Sequence, residues 1–258
     1  LSDVISCNPL SKLSNNGDVN RSHVNIYNVS VKPHLSVTNQ KSSGRCWLFA
    51  ALNVVRREMC DKYNLDNFEF SQSYLFFWDK FERMNYNLEC IIKTKNEKVN
   101  SRLVQHLLDD PSCDGGQWDM ITNLVNKYGL IPKDNYNESH HSSNSRDLNM
   151  ILKKKFREYA CNLRSSENTK KLKESYMEEV YKLLCFFLGE PPKNFTWEYK
   201  NKKNNYNIKS NLTPLSFYEN NVPFDFNDYI CVINDPRKEH PYFNTYTVKY
   251  LGNVVDGN

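Results

Sequence analysis

The chain has 258 residues, enough to bury a sizeable hydrophobic core in one domain or two. Its formal net charge of +4 is too small to indicate a nucleic-acid-binding protein, and no apolar run reaches the ~18 residues of a membrane span. The eight cysteines include no Cys-x-x-Cys pair, which argues against a zinc site and favours buried thiols in a reducing compartment.

Residues 1–38 are polar and show little periodicity. We expect an irregular arm there, with one weak helix at most. The chain starts without methionine and without a signal-peptide pattern, so we expect its start to be trimmed or lost.

A turn-forming stretch at 42–44 leads into Cys46, where an apolar helical pattern begins and continues to about Tyr63. Free backbone N–H groups and the positive end of the helix dipole favour a thiolate at this position, and thiolate is the nucleophilic form. The amide of Gln40 would join the Cys46 N–H in stabilising a carbonyl oxygen as it becomes negative. The alternative is that Cys46 is a small apolar residue buried under the helix, as most free cysteines are.

Ser71 is predicted to cap a second helix, whose aromatic stripe indicates core packing. A third helix is predicted at 102–108. The pair Gly115-Gly116 then forms a turn before a helix that Gly129 ends. Paired glycines leave the backbone bare, so an extended peptide can hydrogen-bond to it; the alternative is an ordinary tight turn.

The remaining predictions, in chain order, are a polar loop at 137–146, helices at 146–164 and 168–188, a hairpin of 195–199 with 206–208, a short helix from Thr213-Pro214 to about Tyr218, and strands at 229–233 and 245–251. The adjacent His140 and His141 have no other ligand cluster nearby, so we expect a solvated loop rather than a metal site. The basic runs at 153–157 and 200–203 are typical of solvated faces, with nucleic-acid binding as the alternative.

The segment Gln40-Lys-Ser-Ser-Gly-Arg-Cys-Trp47 resembles the nucleophile segment of papain-like cysteine peptidases. Ser43 replaces a cysteine that forms a disulfide in secreted relatives, and Arg45 replaces a small residue. With these two departures, the segment resembles the bleomycin hydrolase family, the intracellular branch of these peptidases. The segments 68–80, 114–120 and 194–199 extend the resemblance to the end of the chain.

The resemblance implies an α+β fold: a helix-rich N-terminal lobe of a papain-like cysteine peptidase with a helical insertion and a short β-hairpin region. The C-terminal β lobe is expected to be largely absent. The expected divisions are an N-terminal arm (1–38), a helical lobe with the nucleophile helix and glycine turn (39–135), a helical insertion (136–192), and the hairpin with the start of the second lobe (193–258).

The resemblance assigns the nucleophile to Cys46, the oxyanion hole to Gln40, and substrate contacts to Gly115, Gly116 and Trp47. It implies a cytoplasmic cysteine aminopeptidase that acts on peptides and aminoacyl amides, including bleomycin, and assembles as a homohexamer without metal or organic cofactor. Some relatives are associated with nucleic acid, so weak nucleic-acid binding is a further expectation.

A cysteine peptidase also needs a histidine base and a residue that orients it. In papain-like enzymes these follow the cysteine by ~130–150 residues, at about 176–196 here, and this window contains no histidine. His240 is the only histidine C-terminal to it, and the resemblance places that stretch before the catalytic histidine. We therefore expect the catalytic His and Asn to lie beyond this chain, which would be inactive alone.

Two readings from other classes stay open at this point. One is a nucleic-acid-binding or structural protein with an inert cysteine. The other is a thiol-dependent acyltransferase, which uses the same nucleophile and transfers the acyl group to amines rather than to water.

Overall fold

The computed structural model describes residues 2–24, 26–30 and 34–257, and they form two units, Leu1–His34 and Leu35–Asn258. Three short helices form in the first unit: α1 (Ser2–Cys7), α2 (Leu10–Leu13) and α3 (Gly17–Ser22). The prediction of one weak helix at most is wrong, and for α3 local capping gives the reason. The Asn16 side chain accepts the backbone N–H groups of Asp18 and Val19 at the start of that helix.

The first part of the second unit is helical, and its helices begin and end where the sequence predicts. They are α4 (Cys46–Tyr63), α5 (Gln72–Lys93), α6 (Arg102–Asp109) and α7 (Trp118–Tyr128). The Ser71 hydroxyl accepts the Tyr74 N–H and so caps α5. Asn64 and Gly129 end α4 and α7 with φ values of 51° and 72°, which these two residue types adopt more readily than others.

The second part continues with α8 (His140–Ser143), α9 (Arg146–Ser165) and α10 (Thr169–Leu188), and the two long helices are confirmed. The prediction of a loop around His140 and His141 is wrong, since they lie in the single turn of α8. A reciprocal capping box stabilises that turn. Ser139 accepts the N–H of Ser142, and Ser142 accepts the N–H of Ser139.

The predicted hairpin and the helix after it are confirmed. Strands β1 (Phe195–Lys200) and β2 (Tyr206–Leu212) pair antiparallel with Trp197 opposite Lys209, and α11 (Pro214–Asn221) follows. The other two predicted strands are wrong, since residues 229–233 and 245–251 are described and neither is a strand. Ile230 and Val232 are 84% and 83% exposed, so their β propensity has no neighbouring strand to pack against.

The core of the second unit joins α4, α5, α7, α9 and α10. Each of these helices contributes at least one fully buried residue; examples, in the same order, are Leu48, Phe77, Val125, Phe156 and Leu184. The aromatic stripe of α5 is therefore core, as predicted. Close packing of this kind makes the first turn of α4, and the cysteine on it, a rigid position.

Candidate active site

Cys46 is the first residue of α4 and is exposed, with its sulfur 4.0 Å from the carbonyl oxygen of Gly44. Within the part of the chain that the structure describes, no side chain caps this helix. The N–H groups of its first turn therefore remain available, and together with the helix dipole they favour a negative sulfur or oxygen beside them. The predicted position of the cysteine at the opening of a helix is confirmed.

The other cysteines differ among themselves in exposure. Burial raises the pKa of the thiols of Cys60 and Cys90, which lie inside the core. All eight cysteines are free, and the prediction that they are buried is wrong for half of them. Those exposed are Cys7, Cys46, Cys161 and Cys231.

Gln40 is half-buried and is tied to the turn that precedes the cysteine. Its Nε2 donates to the carbonyl of Ser43 over 2.7 Å, and the Ser43 hydroxyl donates to the Gln40 carbonyl over 2.6 Å. An amide nitrogen carries two hydrogens, so one N–H of Gln40 remains after this bond. The structure thus places Gln40 on the turn 40–45 that leads into Cys46, here called the nucleophile turn after the predicted role of that cysteine. The role of Gln40 in an oxyanion hole stays a prediction.

The two glycines of the predicted turn have different surroundings. A Cβ on Gly115 would meet no atom within 4 Å, whereas one on Gly116 would lie 2.5 Å from the ring of Trp47. Trp47 is only 9% exposed, and its indole N–H donates to the Asp114 carbonyl over 2.7 Å. The ring of Trp47 therefore packs against the glycine turn. These contacts favour a positioning role for Trp47 over direct substrate binding.

Asp114 connects the nucleophile turn to the glycine turn. Its carboxylate accepts the Gly44 N–H over 2.9 Å and the Lys80 ammonium over 2.6 Å. The hydroxyl of Ser145 and the amide of Asn149 donate to it from the start of α9. Burial acts to raise the pKa of Asp114, but Lys80 and the donated hydrogen bonds outweigh it and hold that pKa well below its ordinary value.

Two cations on one face of α5 hold the glycine turn from the inside. Lys80, whose side chain is completely buried, also donates to the carbonyls of Ser112 and Cys113. One turn further along, Arg83 pairs with Asp79 over 2.7 Å and donates to the Gly115 carbonyl over 2.5 Å. The turn is thus fixed through its carbonyls, and its outer side stays open.

Sequence analysis missed Asp114, Lys80 and Arg83 as site residues. A signal for them exists: Lys80 and Arg83 are charged residues within the aromatic run of α5, and Asp114 directly precedes the paired glycines. Buried charges require partners, so such residues predict an internal ion pair. The sequence does not show which residues pair.

The histidines near the end of the chain and in α8 have contacts of their own. His240 Nδ1 lies 2.6 Å from Asp235 Oδ2, and Arg237 binds the same carboxylate. The ring of His141 packs against that of Phe187. Among the described residues, no three His, Cys, Asp or Glu side chains are placed to hold a metal ion, and none of the described helices is long and apolar enough to cross a membrane.

This helix-rich α+β unit carries an exposed cysteine at an uncapped helix start, beside an open glycine turn. Together these features define the class of protein, a papain-like peptidase fold in its N-terminal portion. The model of the Peptidase C1-like family matches residues 1–258, and the chain belongs to this family. The resemblance found in the sequence and the predicted fold class are thereby confirmed.

Curated relatives agree with this assignment. Over 232 residues, 86% of this chain, it is 48% identical to bleomycin hydrolase of Rattus norvegicus and 47% identical to that of Homo sapiens. It is 46% identical over 240 residues to aminopeptidase C of Listeria monocytogenes. These matches cover 51%, 51% and 54% of the respective relatives, so the chain spans about half of their length.

A solved structure shows the same fold. The crystal structure of PepW from Lactobacillus rhamnosis HN001 superposes with a TM-score of 0.94 at 39% identity. The match covers 99% of this chain and 59% of that one.

Proposed function

We propose that this chain supplies the nucleophile and part of the substrate cleft of a cysteine aminopeptidase. The observation that carries the proposal is the exposed sulfur of Cys46 at the uncapped start of α4. The relatives named bleomycin hydrolase and aminopeptidase C support the same activity. The proposed substrates are peptides and aminoacyl amides, and the glycine turn at Gly115 and Gly116 would hydrogen-bond to their backbone.

In the proposed reaction, the Cys46 thiolate attacks the scissile carbonyl carbon and the carbonyl oxygen becomes negative. The Cys46 N–H and the free N–H of Gln40 stabilise that oxygen. When the tetrahedral intermediate collapses, the amine leaves with a proton from the histidine that is proposed to lie outside this chain, and a thioester to Cys46 remains. Water then hydrolyses the thioester.

The base and its orienting residue are proposed to lie in the part of the relatives' length that this chain does not span. The proposal includes a homohexamer, a cytoplasmic location, and no metal or organic cofactor. It also predicts that residues 1–258 are inactive alone.

The charges of the basic run on α9 support the peptidase over a nucleic-acid-binding protein. Lys155 pairs with Glu179 over 2.8 Å and with Glu158 over 3.4 Å. Arg157 donates to the carbonyls of Leu108 and Asp109 at the end of α6. The two carboxylates offset the charge of Lys155, which reduces its contribution to phosphate binding, and Arg157 keeps its charge but is held at the end of α6.

The experiment compares turnover of an aminoacyl-coumarin substrate by the full-length protein and by residues 1–258. We expect turnover by the full-length protein and none by the shorter chain. Turnover by residues 1–258 alone would contradict the proposed position of the base. An inactive full-length protein would contradict the proposed peptidase activity.

A second measurement follows alkylation of the thiols by iodoacetamide as a function of pH. The sequence alone suggests that the other seven cysteines resist, but three of them are exposed, so the informative comparison is with Cys161 on the surface of α9. We expect Cys46 to react well below pH 8, where Cys161 is slow. Equal rates for the two thiols would show that Cys46 is not activated.

A further inference from the structure

The turn that leads into Cys46 is held by a series of polar contacts that begins at Gln40. As described above, both the side chain and the backbone carbonyl of Gln40 are bonded to Ser43. Lys41, between them, has a φ of 54°. This conformation is uncommon for a residue other than glycine and persists only where neighbouring contacts impose it. The position of the Gln40 amide therefore depends on Ser43.

Arg45 determines the direction of the Ser43 hydroxyl. The Nε of Arg45 donates to Ser43 Oγ over 2.8 Å. A guanidinium N–H can only donate, and a hydroxyl has a single hydrogen to give. Ser43 must therefore accept from Arg45, which leaves its hydrogen for the carbonyl of Gln40.

Glu138, 93 residues further along the chain, holds Arg45 in place. The Arg45 side chain is completely buried, and its Nη1 lies 2.9 Å from Glu138 Oε1. The guanidinium carbon also lies 5.1 and 5.3 Å from the ring centres of Phe49 and Phe76. The second oxygen of Glu138 accepts the hydroxyl of Ser142 in α8, so the carboxylate is fixed as well.

Stability alone does not account for a charge at this position. A buried ion pair is often no more stabilising than apolar residues of the same volume. Among the residues that the structure describes, Arg45 Nη2 has no hydrogen-bond partner, which adds to the cost of burying the guanidinium. What an apolar residue could not provide is the hydrogen bond to Ser43.

We propose that Arg45 and Glu138 are positioning residues for the Gln40 amide and act on it through Ser43. The inference rests on the proposed function, because it assigns these residues to the oxyanion hole of that reaction. The Arg45 side chain is completely buried, so it acts on Gln40 rather than on substrate. Since an oxyanion donor acts on charge that develops in the transition state, a displaced Gln40 lowers kcat and leaves KM nearly unchanged.

The test uses the full-length protein with Arg45→Lys, which keeps a positive charge opposite Glu138 but lacks the planar fork that also reaches Ser43. We expect kcat to fall about 10- to 100-fold, as for a ~1 Å displacement of a catalytic group, with KM changed less than about twofold. In a Gln40→Ala background the same substitution should have no further effect on kcat, because the group it positions is gone. Alkylation of Cys46 by iodoacetamide, which forms no oxyanion, should keep its rate in both backgrounds.

The matched control is Arg56→Lys, since Arg56 is a buried arginine within α4 whose Nη2 donates to the Ser36 carbonyl. Its kcat should stay within about twofold of the wild type. If Arg45→Lys does not fold, Glu138→Gln takes its place with the same expectations, since the amide keeps the shape and loses the charge.

Three results would overturn the inference. They are an unchanged kcat in Arg45→Lys (or in Glu138→Gln where that replaces it), equal losses of kcat with and without the Gln40 side chain, and a loss in the rate of Cys46 alkylation as large as the loss in kcat. Equal losses would mean that Arg45 acts on the fold as a whole, and slower alkylation would mean that it acts on the thiol. A wild-type protein without turnover is a separate result, which overturns the proposed function and this inference with it.

Discussion

Replacing Asp114 by asparagine tests whether one buried ion pair fixes the nucleophile turn to the glycine turn. The substitution keeps the shape of the side chain but leaves the fully buried Lys80 ammonium without its carboxylate partner. It also brings an NH₂ group toward donors such as the Gly44 N–H and the Ser145 hydroxyl. Removing one partner of a buried pair costs about 3–5 kcal/mol. For a chain of this size, that corresponds to a fall in Tm of about 6–20 °C.

The assay is equilibrium unfolding in urea at pH 7, with the free energy of unfolding taken from the midpoint and slope. Asp110→Asn is the control, because Asp110 pairs with Lys153 at 3.9 Å with more than half of the Asp110 side chain exposed. We expect this control to change stability by less than about 1 kcal/mol. A loss for Asp114→Asn no larger than that of the control would refute the reasoning.

The dependence on pH gives an independent check of the same ion pair. The folded-state pKa of Asp114 is below its ordinary value, so its contribution to stability is fully present above about pH 4, the ordinary range of an aspartate. The contribution is lost as the pH falls from there through the lowered folded-state pKa. The difference in stability between wild type and Asp114→Asn should therefore narrow below about pH 4, and a constant difference would mean that the carboxylate charge is not its source.

Three glycine substitutions give further predictions. Gly116→Ala should cost about 1–3 kcal/mol in urea unfolding because its Cβ would lie 2.5 Å from the buried ring of Trp47. Gly115→Ala, with no atom within 4 Å of its Cβ, should leave stability nearly unchanged, and equal losses for the two would contradict the described packing. Gly129→Ala should lower the Tm by several degrees, since φ is +72° there and the Cβ would lie 2.2 Å from the Pro214 backbone. A Tm equal to that of the wild type would show that this turn relaxes.

Features of the fold that depend only on residues close together along the chain could be predicted from the sequence. The hydroxyl of Ser71 and the left-handed conformation of Asn64 act within one turn of a helix, so the bounds of α4 and α5 follow from local patterns. The position of Cys46 at the start of a helix belongs to the same group, whereas its exposure does not. The wrong predictions at 229–233 and 245–251 concern strands, which require a partner that no local pattern supplies.

The sequence by itself determined where the proposed nucleophile lies, at the opening of a helix, because that opening and the dipole at that end are local properties of the chain. Only the tertiary structure decided what holds the turn before Cys46 in place. Lys80 meets Asp114 across 34 residues and Arg45 meets Glu138 across 93, and the free energy of such a contact depends on burial and on the partner's position. A local sequence pattern carries neither quantity, so these ion pairs become visible only when the helices have packed together.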